Sequence, residues 1–435
     1  MADRAGAEPR GKLRFWQALA VLGPGLAIAA TGVGAGDMVA AAVSGSKFGF
    51  AIVWAAAVGA VFKFVLNEGL ARWQLATGTT LLEGWARHLG RGVQWIFMVY
   101  LVLWSFVVGG ALINACGLAA HAMVPQVSLE IWAVSHSIVA ALVVLTGGYR
   151  AFERSIKVFI GVMFAALIGC ALFVAPPLQT AARSVREAGI PQGSGNMILG
   201  VLGGVGGSVT LLSYGYWIRE KGWEGRGYTS IVRLDLVVAY VLTGIFGVAV
   251  VVLAAQTLHG GEPVAGSGAA LMMATMLEQV IGPAGRWVFL IGFWGAVATS
   301  MLGVWQGVPY LFADFLRLIR GHSLTDAAGH EIELTRTPSY RIFLFWLAVP
   351  PLALLAVGKP VLLVVIYSVM GALFMPFLAG TLLILNGRRD WVGSLRNGPL
   401  TVAVLTACLV LFGYIAYEQL GRAFEMARAF FADVG

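Results

Sequence analysis

The chain has 435 residues, 59% of them hydrophobic and 11% charged, with a mean hydropathy of +0.84. A soluble protein carries about 25% charged residues, so a water-soluble globular fold is excluded and an all-α membrane protein is expected. The formal net charge of +8 is no nucleic-acid signal, because its distribution along the chain follows membrane sidedness.

Apolar stretches long enough to cross roughly 30 Å of hydrocarbon predict eleven transmembrane helices. They lie near 15–43, 50–73, 93–123, 131–147, 153–175, 197–218, 232–257, 286–315, 340–357, 360–386 and 399–419. The first run is too long, and lacks the small-residue cleavage site, for a cleavable signal peptide. Thr80–Leu89 and Ala270–Ile281 are amphipathic and read as surface helices leading into the third and eighth spans. Cys116, Cys170 and Cys408 all fall inside apolar spans, which reads as packing and not as a disulfide or thiol metal site.

The first span is interrupted by Thr31-Gly32-Val33-Gly34-Ala35-Gly36-Asp37. Glycine costs about 1 kcal/mol in a helix interior, so three within five positions favour unwinding, expected over Val33–Asp37. Unwound backbone survives in lipid only where protein or a water-filled cavity satisfies it. An acid at that depth costs roughly 2.5–3.5 kcal/mol on insertion scales and marks a functional site. The sixth span carries a second glycine cluster, from Gly200 to Gly207, followed by Ser208-Val209-Thr210, with unwinding expected over Gly204–Thr210. Close helix packing through small residues is the bland reading of each cluster. Clusters five spans apart point to inverted repeats, with substrate held between broken helices near the midplane.

The chain therefore reads as one transmembrane domain, 1–435, with helices 1 and 6 broken. Repeat one covers about 15–175, repeat two about 197–386, and an extra helix about 399–419. Basic residues set the orientation. One set of loops holds Arg4, Arg10, Lys12 and Arg14, then Arg72, Arg87 and Arg91, then Arg150, Arg154 and Lys157, and further clusters after spans six, eight and ten. The opposite loops hold only scattered cations such as Lys47, Arg183, Arg286 and Lys359. This alternation places the N-terminus in the cytoplasm and the C-terminus outside, in a multi-pass protein of the plasma membrane, expected to be a bacterial inner membrane.

Several segments resemble the Nramp divalent-metal transporters. Gly23 to Gly45 is similar, without a gap, to the family's first helix, which opens Gly-Pro-Gly and carries an Asp-Pro-Gly-Asn break; that motif falls on Gly34-Ala35-Gly36-Asp37. Gly49-Phe50 to Thr77-Gly78 resembles the second helix, Ala298 through Arg317 the eighth, and Met375-Pro376-Phe377 with Asn386 to Gly393 the tenth. The resemblance spans nearly the whole chain. It implies a leucine-transporter-type fold, two inverted five-helix repeats plus one extra helix, and transport of a divalent cation by alternating access.

The chain departs from the family where the chemistry lies. The motif's Asp becomes Gly34 and its Asn becomes Asp37. The sixth-helix Ala-x-x-Met-Pro-His pattern falls on Gly207 to Leu212, so the thioether becomes Thr210 and the histidine Leu212. The third-helix acids fall on Ala111 and Asn114, and the tenth-helix Gln on Ser368, beside Tyr367. The metal- or substrate-binding set is then Asp37, Gly34, Thr210, Gly207, Ser368, Asn114 and Tyr367, all oxygen and singly anionic. Such ligands suit hard ions and not soft transition metals. Mg²⁺ dehydrates reluctantly and is held by one or two carboxylates with waters retained, so Mg²⁺ is expected first and Mn²⁺ second. Loss of titratable groups implies weak or absent proton coupling. The chain resembles most the Nramp relatives associated with Mg²⁺ uptake.

The same glycines allow another reading, an amino-acid or other organic-solute transporter, since bare amides at a helix start hold carboxylates. Asp37 beside such an anion argues against it. A transport-inactive sensor on the same frame is a third reading, weakened by the short tail from Gly421 to Gly435. Lys63, deep in the second span, is a candidate electrostatic gate that could pair with Asp37; the alternative is that its stem reaches a watery vestibule. Glu68 and Arg72 read as a structural ion pair, Asp235 and Asp314 as partners of nearby arginines, His136 as an interface residue, and Trp104, Trp294 and Trp305 as packing. No nucleotide loop or hydrolytic triad is present in the sequence, so no ATP, no nucleic-acid partner, no catalytic residue and no cofactor are expected. The expected partners are the metal ion and the bilayer, with the chain a monomer or weak homo-oligomer.

Overall fold

The computed structural model describes residues 22–177, 179, 183, 189, 191–204, 208–260, 268–322, 333–357 and 360–434; side chains at 35–37, 196, 199, 203–204, 268–269, 357, 360–369, 372 and 418–434 lie outside the description. Every described element is helical. Helix α1 (Pro24–Gly32) is followed after two residues by α2 (Ala35–Phe48). Then come α3 (Val53–Thr77), α4 (Leu81–His88), α5 (Arg91–Met123) and α6 (Leu129–Val174). Next are α7 (Gly195–Gly204), α8 (Ser213–Glu220) and α9 (Thr229–Thr257). The chain ends with α10 (Gly268–Ile281), α11 (Pro283–Ile319), α12 (Pro338–Ala348), α13 (Pro360–Leu385) and α14 (Pro399–Val434).

Among the described residues, seven helices are long and apolar enough to cross a membrane. The difference from eleven expected spans comes partly from continuity. Helix α6 runs 46 residues through both the fourth and fifth expected spans. Straight, it would rise about 69 Å, over twice the hydrocarbon core. It is not straight: Gly148 has φ 57°, ψ −166°, a backbone region essentially closed to other residues. The first and sixth expected spans are each divided into shorter helices, and α14 continues to Val434, past the expected end near 419.

The surface is that of a protein solvated by lipid. Leu172 and Leu400 are 73% and 78% exposed, while Lys63, Asn67 and Asp314 are fully buried. The long helix α11 forms the centre, packed against α6, α5, α10, α12 and α1, and α9 packs on α3 and α2. Helices α1 and α2 are thereby enclosed, which lets a two-residue interruption survive where lipid could not satisfy it. The surface helix α4 starts with Thr80, whose hydroxyl accepts from the Glu83 amide at 3.2 Å, a side-chain cap that ends the preceding turn.

The conformation at Gly148 gives a stability test. Gly148→Ala places a Cβ in that disfavoured region and is expected to cost about 1–3 kcal/mol. Thermal unfolding in detergent should show a lowered midpoint, whereas Gly161→Ala on the same helix, where a Cβ meets nothing within 4 Å, should not.

Candidate functional site

The interruption between α1 and α2 is short. Val33, at φ −101° and ψ 74°, ends α1, and the chain is helical again from Ala35. Asp37 therefore lies in the first turn of α2 and not in extended backbone, a position where a helix dipole favours a carboxylate. The expected unwinding over Val33–Asp37 is thus confined to Val33 and Gly34. Ending α1 leaves its last carbonyls without intrahelical partners. Two hydroxyls from the middle of α11 reach them. Ser300 Oγ donates to the Thr31 carbonyl at 2.9 Å and lies 3.4 Å from that of Ala30. Thr299 Oγ1 is 3.3 Å from the Ala30 carbonyl and 2.9 Å from both Gly295 O and Ala296 O in its own helix.

This approach depends on small residues. A Cβ built on Gly34 would lie 3.0 Å from Ser300 Oγ, and one on Gly303 only 1.8 Å from Thr31 Oγ1. In the sequence the stretch from Ala298 to Gly303 shows only a family likeness; two hydroxyls in an apolar helix carry no signal until the partner carbonyls are known.

Opposite stands the sixth-span segment. Helix α7 ends at Gly204, residues 205–207, Gly207 included, lie outside the described residues, and a 3-10 turn over Val209–Leu212 leads into α8. That turn packs on α1, α3 and α11. Ser208, Thr210 and Ser213 are buried, and their hydroxyls have no hydrogen-bond partner among the described residues. Ser208 faces α13 at Gly371 and Ser213 faces α11 at Gly307. Buried polar groups are normally paired, so unpaired ones call for water or a ligand.

The other expected site residues are distributed around this place. Asn114 is buried on α5, which touches α2. Tyr367 and Ser368 lie on α13, and α13 also contacts α2 and α7; their side chains, like that of Asp37, are outside the description. Lys63 is fully buried on α3; its expected pairing with Asp37 falls outside the described residues. Among those residues, no group of three or more His, Cys, Asp or Glu is placed to hold a metal ion.

On the side where α4 and α8 lie, a polar lattice closes the bundle. Asp314, fully buried on α11, accepts from the hydroxyls of Thr80 (2.7 Å) and Tyr216 (2.8 Å) and from Arg317 Nε (2.8 Å). Gln74 on α3 donates to the Gly215 carbonyl of α8 at 2.7 Å. Arg72 pairs with Glu68 at 3.0 Å, as the four-residue spacing suggested. Asp235 corrects the expectation of an arginine partner: it accepts from the Tyr214 hydroxyl at 2.8 Å, and a Cβ on Gly25 would lie 2.7 Å from its Oδ1. The carboxyl lies beside the first turn of α1. His136 accepts from Trp294 Nε1 at 2.7 Å, while Trp104 and Trp305 are buried.

The close contact at Gly303 can be tested. Gly303→Ala forces a methyl against Thr31 and is expected to cost about 1–3 kcal/mol through overpacking. Gly413→Ala, where nothing lies within 4 Å, serves as control; equal melting temperatures for both variants in detergent would contradict the packing.

Comparison with known proteins agrees with this geometry. The family model "Natural resistance-associated macrophage protein-like" (Nramp) matches residues 25–420. A divalent metal cation transporter MntH from Deinococcus radiodurans is 23% identical, covering 96% of this chain and 93% of its own. An uncharacterized membrane protein, YcsG, from Bacillus subtilis is 21% identical over 72% of this chain and 73% of its own. Among solved structures, a manganese transporter from Eremococcus coleocola superposes with a TM-score of 0.76 at 14% identity, covering 96% of this chain and 90% of that one. With a family match running from the first turn of α1 into α14, the chain belongs to the Nramp family.

Proposed function

We propose that this protein is a secondary transporter or facilitator that carries a divalent cation, Mg²⁺ before Mn²⁺, by alternating access and with little or no proton movement. The observation that carries the reading is the Thr210 hydroxyl, buried and without a partner among the described residues in the turn after α7. In the family resemblance that position belongs to a thioether. A hydroxyl in its place exchanges a soft ligand for a hard one, and hard oxygen sets suit Mg²⁺ and Mn²⁺.

The ion's ligands in this reading are Asp37, Thr210, the carbonyls of Gly34 and Gly207, and, around them, Ser368, Asn114 and Tyr367. The C-terminal end of α1 turns the negative pole of its dipole toward the interruption, and half-helix ends of this kind are how transporters coordinate cations. One carboxylate and several neutral oxygens leave room for retained water, which Mg²⁺ requires. Ala111, Asn114 and Leu212 offer no proton acceptor where the family has titratable groups. Lys63 serves as a tethered charge that balances Asp37 when the ion is absent.

We place this chemistry in an eleven-span frame of two inverted five-helix repeats, with the first and sixth spans broken, N-terminus inside and C-terminus outside. The frame is supported by the matching glycine clusters and by the sidedness of the basic residues. The reading needs no enzymatic step, nucleotide or cofactor.

Flux into liposomes tests the proposal. Asp37→Asn should reduce Mg²⁺ and Mn²⁺ uptake at least about tenfold, since each lost 1.4 kcal/mol of transition-state or binding energy is a decade. Unchanged flux in a folded variant would refute the role of Asp37. Thr210→Met should shift preference toward Mn²⁺ and Cd²⁺ without starting proton movement, read with a proton-sensitive dye. Wild-type protein that excludes Mg²⁺ and acidifies the lumen in step with Mn²⁺ would overturn the hard-ion reading.

A further inference from the structure

Between α3 and α9, opening on their exposed faces, lies a cavity of about 480 Å³. Its walls follow helical spacing: Ala57, Ala60 and Phe64 on one side, Val237, Val241 and Gly244 on the other. Small residues make the depth, since a Cβ on Gly244 would come within 3.2 Å of Ala60. The floor is sealed by Phe64 against Tyr240, ring centroids 6.4 Å apart, and by Asn67 donating to the Tyr240 hydroxyl at 3.0 Å. The rim faces outward, with Val61 and Val241 each 53% exposed. The lining is almost wholly apolar, so water gains nothing there, while an alkyl chain would restore lost dispersion contacts.

Register says what stands at one end. One helical turn from Val237 is Arg233, and one turn from Phe64 is Glu68, and these two pair at 2.9 Å. Glu68 also pairs with Arg72 at 3.0 Å, so two guanidinium groups share one carboxylate. Arg233 is 53% exposed in spite of its pair. Arg226 lies at the same end, its Nη2 2.8 Å from where a Cβ on Gly393 would be, while Arg72 donates to the Leu395 carbonyl two residues on. The mouth of the apolar groove thus carries excess positive charge. From Val237 to Val248 the wall rises about 16 Å, close to half of the roughly 30 Å hydrocarbon core.

We infer that this groove holds one acyl chain of an anionic phospholipid, drawn from the leaflet on the Arg233 side, with the lipid phosphate on Arg233. An apolar slot as long as one leaflet accounts for the chain, and the undercompensated arginine accounts for the charge of the headgroup. Arg233 can exchange part of its contact with Glu68 for phosphate, leaving Glu68 to Arg72. The lipid then bridges α3 and α9 along their exposed seam.

Photo-crosslinking tests the assignment on the purified full chain in mixed micelles. The probes are phosphatidylglycerol and phosphatidylcholine, each carrying a diazirine in its acyl chain, with labelled peptides mapped by mass spectrometry. Labelling should concentrate in residues 57–64 and 237–248, with phosphatidylglycerol favoured about fivefold, the factor expected of one basic residue at a membrane surface. Arg233→Gln should bring the two lipids to parity, and Arg233→Lys should keep the preference. Val241→Trp, which fills the slot from its exposed rim, should cut labelling of both peptides severalfold without moving labels at Leu142 or Leu172. Labels spread evenly over the lipid-facing helices, or a preference indifferent to Arg233→Gln, would overturn the inference.

Discussion

The bond from Ser300 to the Thr31 carbonyl, with Thr299 beside it, is what allows α1 to stop in the middle of the protein. An unpaired buried carbonyl costs about 1–3 kcal/mol, and hydrocarbon offers no water to relieve it. Because α11 brings both hydroxyls to the end of α1, the chain can interrupt a helix there and leave backbone available. The same contact fixes the distance between α1 and α11, which Gly303 sets by having no side chain. A helix interruption that would be a defect on a lipid face becomes a stable feature inside the bundle.

Around that contact the protein separates two kinds of polar group. Near the side of α4 and α8 stands a dense paired set: Asp314 takes three donors, and Arg72 reaches Glu68, Leu395 and Asn397. Ser208 and Thr210 in the turn after α7, and Ser213 at the start of α8, are buried with no partner for their hydroxyls among the described residues. Paired networks rigidify, whereas open hydroxyls in a packed interior are a reserve of binding energy. The first set ties helices to one another, while the second leaves polar atoms beside the interruption of the first span.

Asp235 and Asp314 are two buried acids held in different ways. A cation beside Asp235 would have to be buried with it, and desolvating both charges costs several kcal/mol each. Asp235 takes instead a neutral donor, the Tyr214 hydroxyl, and lies beside the first turn of α1. The expectation of an arginine partner held at Asp314, where Arg317 is on the same helix three residues away and, though buried, also reaches Glu83 and the His322 carbonyl, so its charge is compensated where it lies.

Much was legible in the sequence because membranes impose one-dimensional rules. Apolar length, glycine clusters at Gly32–Gly36 and Gly200–Gly207, the amphipathic stretch Thr80–Leu89, the pair Glu68–Arg72 and the family likeness are all local patterns, and local patterns survive in a linear reading. What the linear reading missed depends on which helix faces which. The hydroxyls of Thr299 and Ser300, the hub at Asp314, the carboxylate of Asp235 under Gly25 and the slot between α3 and α9 join residues far apart in the chain. Even the extent of the interruption was a tertiary outcome: propensity marked the glycines, but helix α2 resumes at Ala35 because enclosed backbone finds its hydrogen bonds sooner in a helix than in extended form. Composition and spacing determined that this chain is a helical membrane protein with an unusual first span; only packing decided which atoms stand around it, because hydrogen bonds and close contacts act through space and leave no trace in sequence separation.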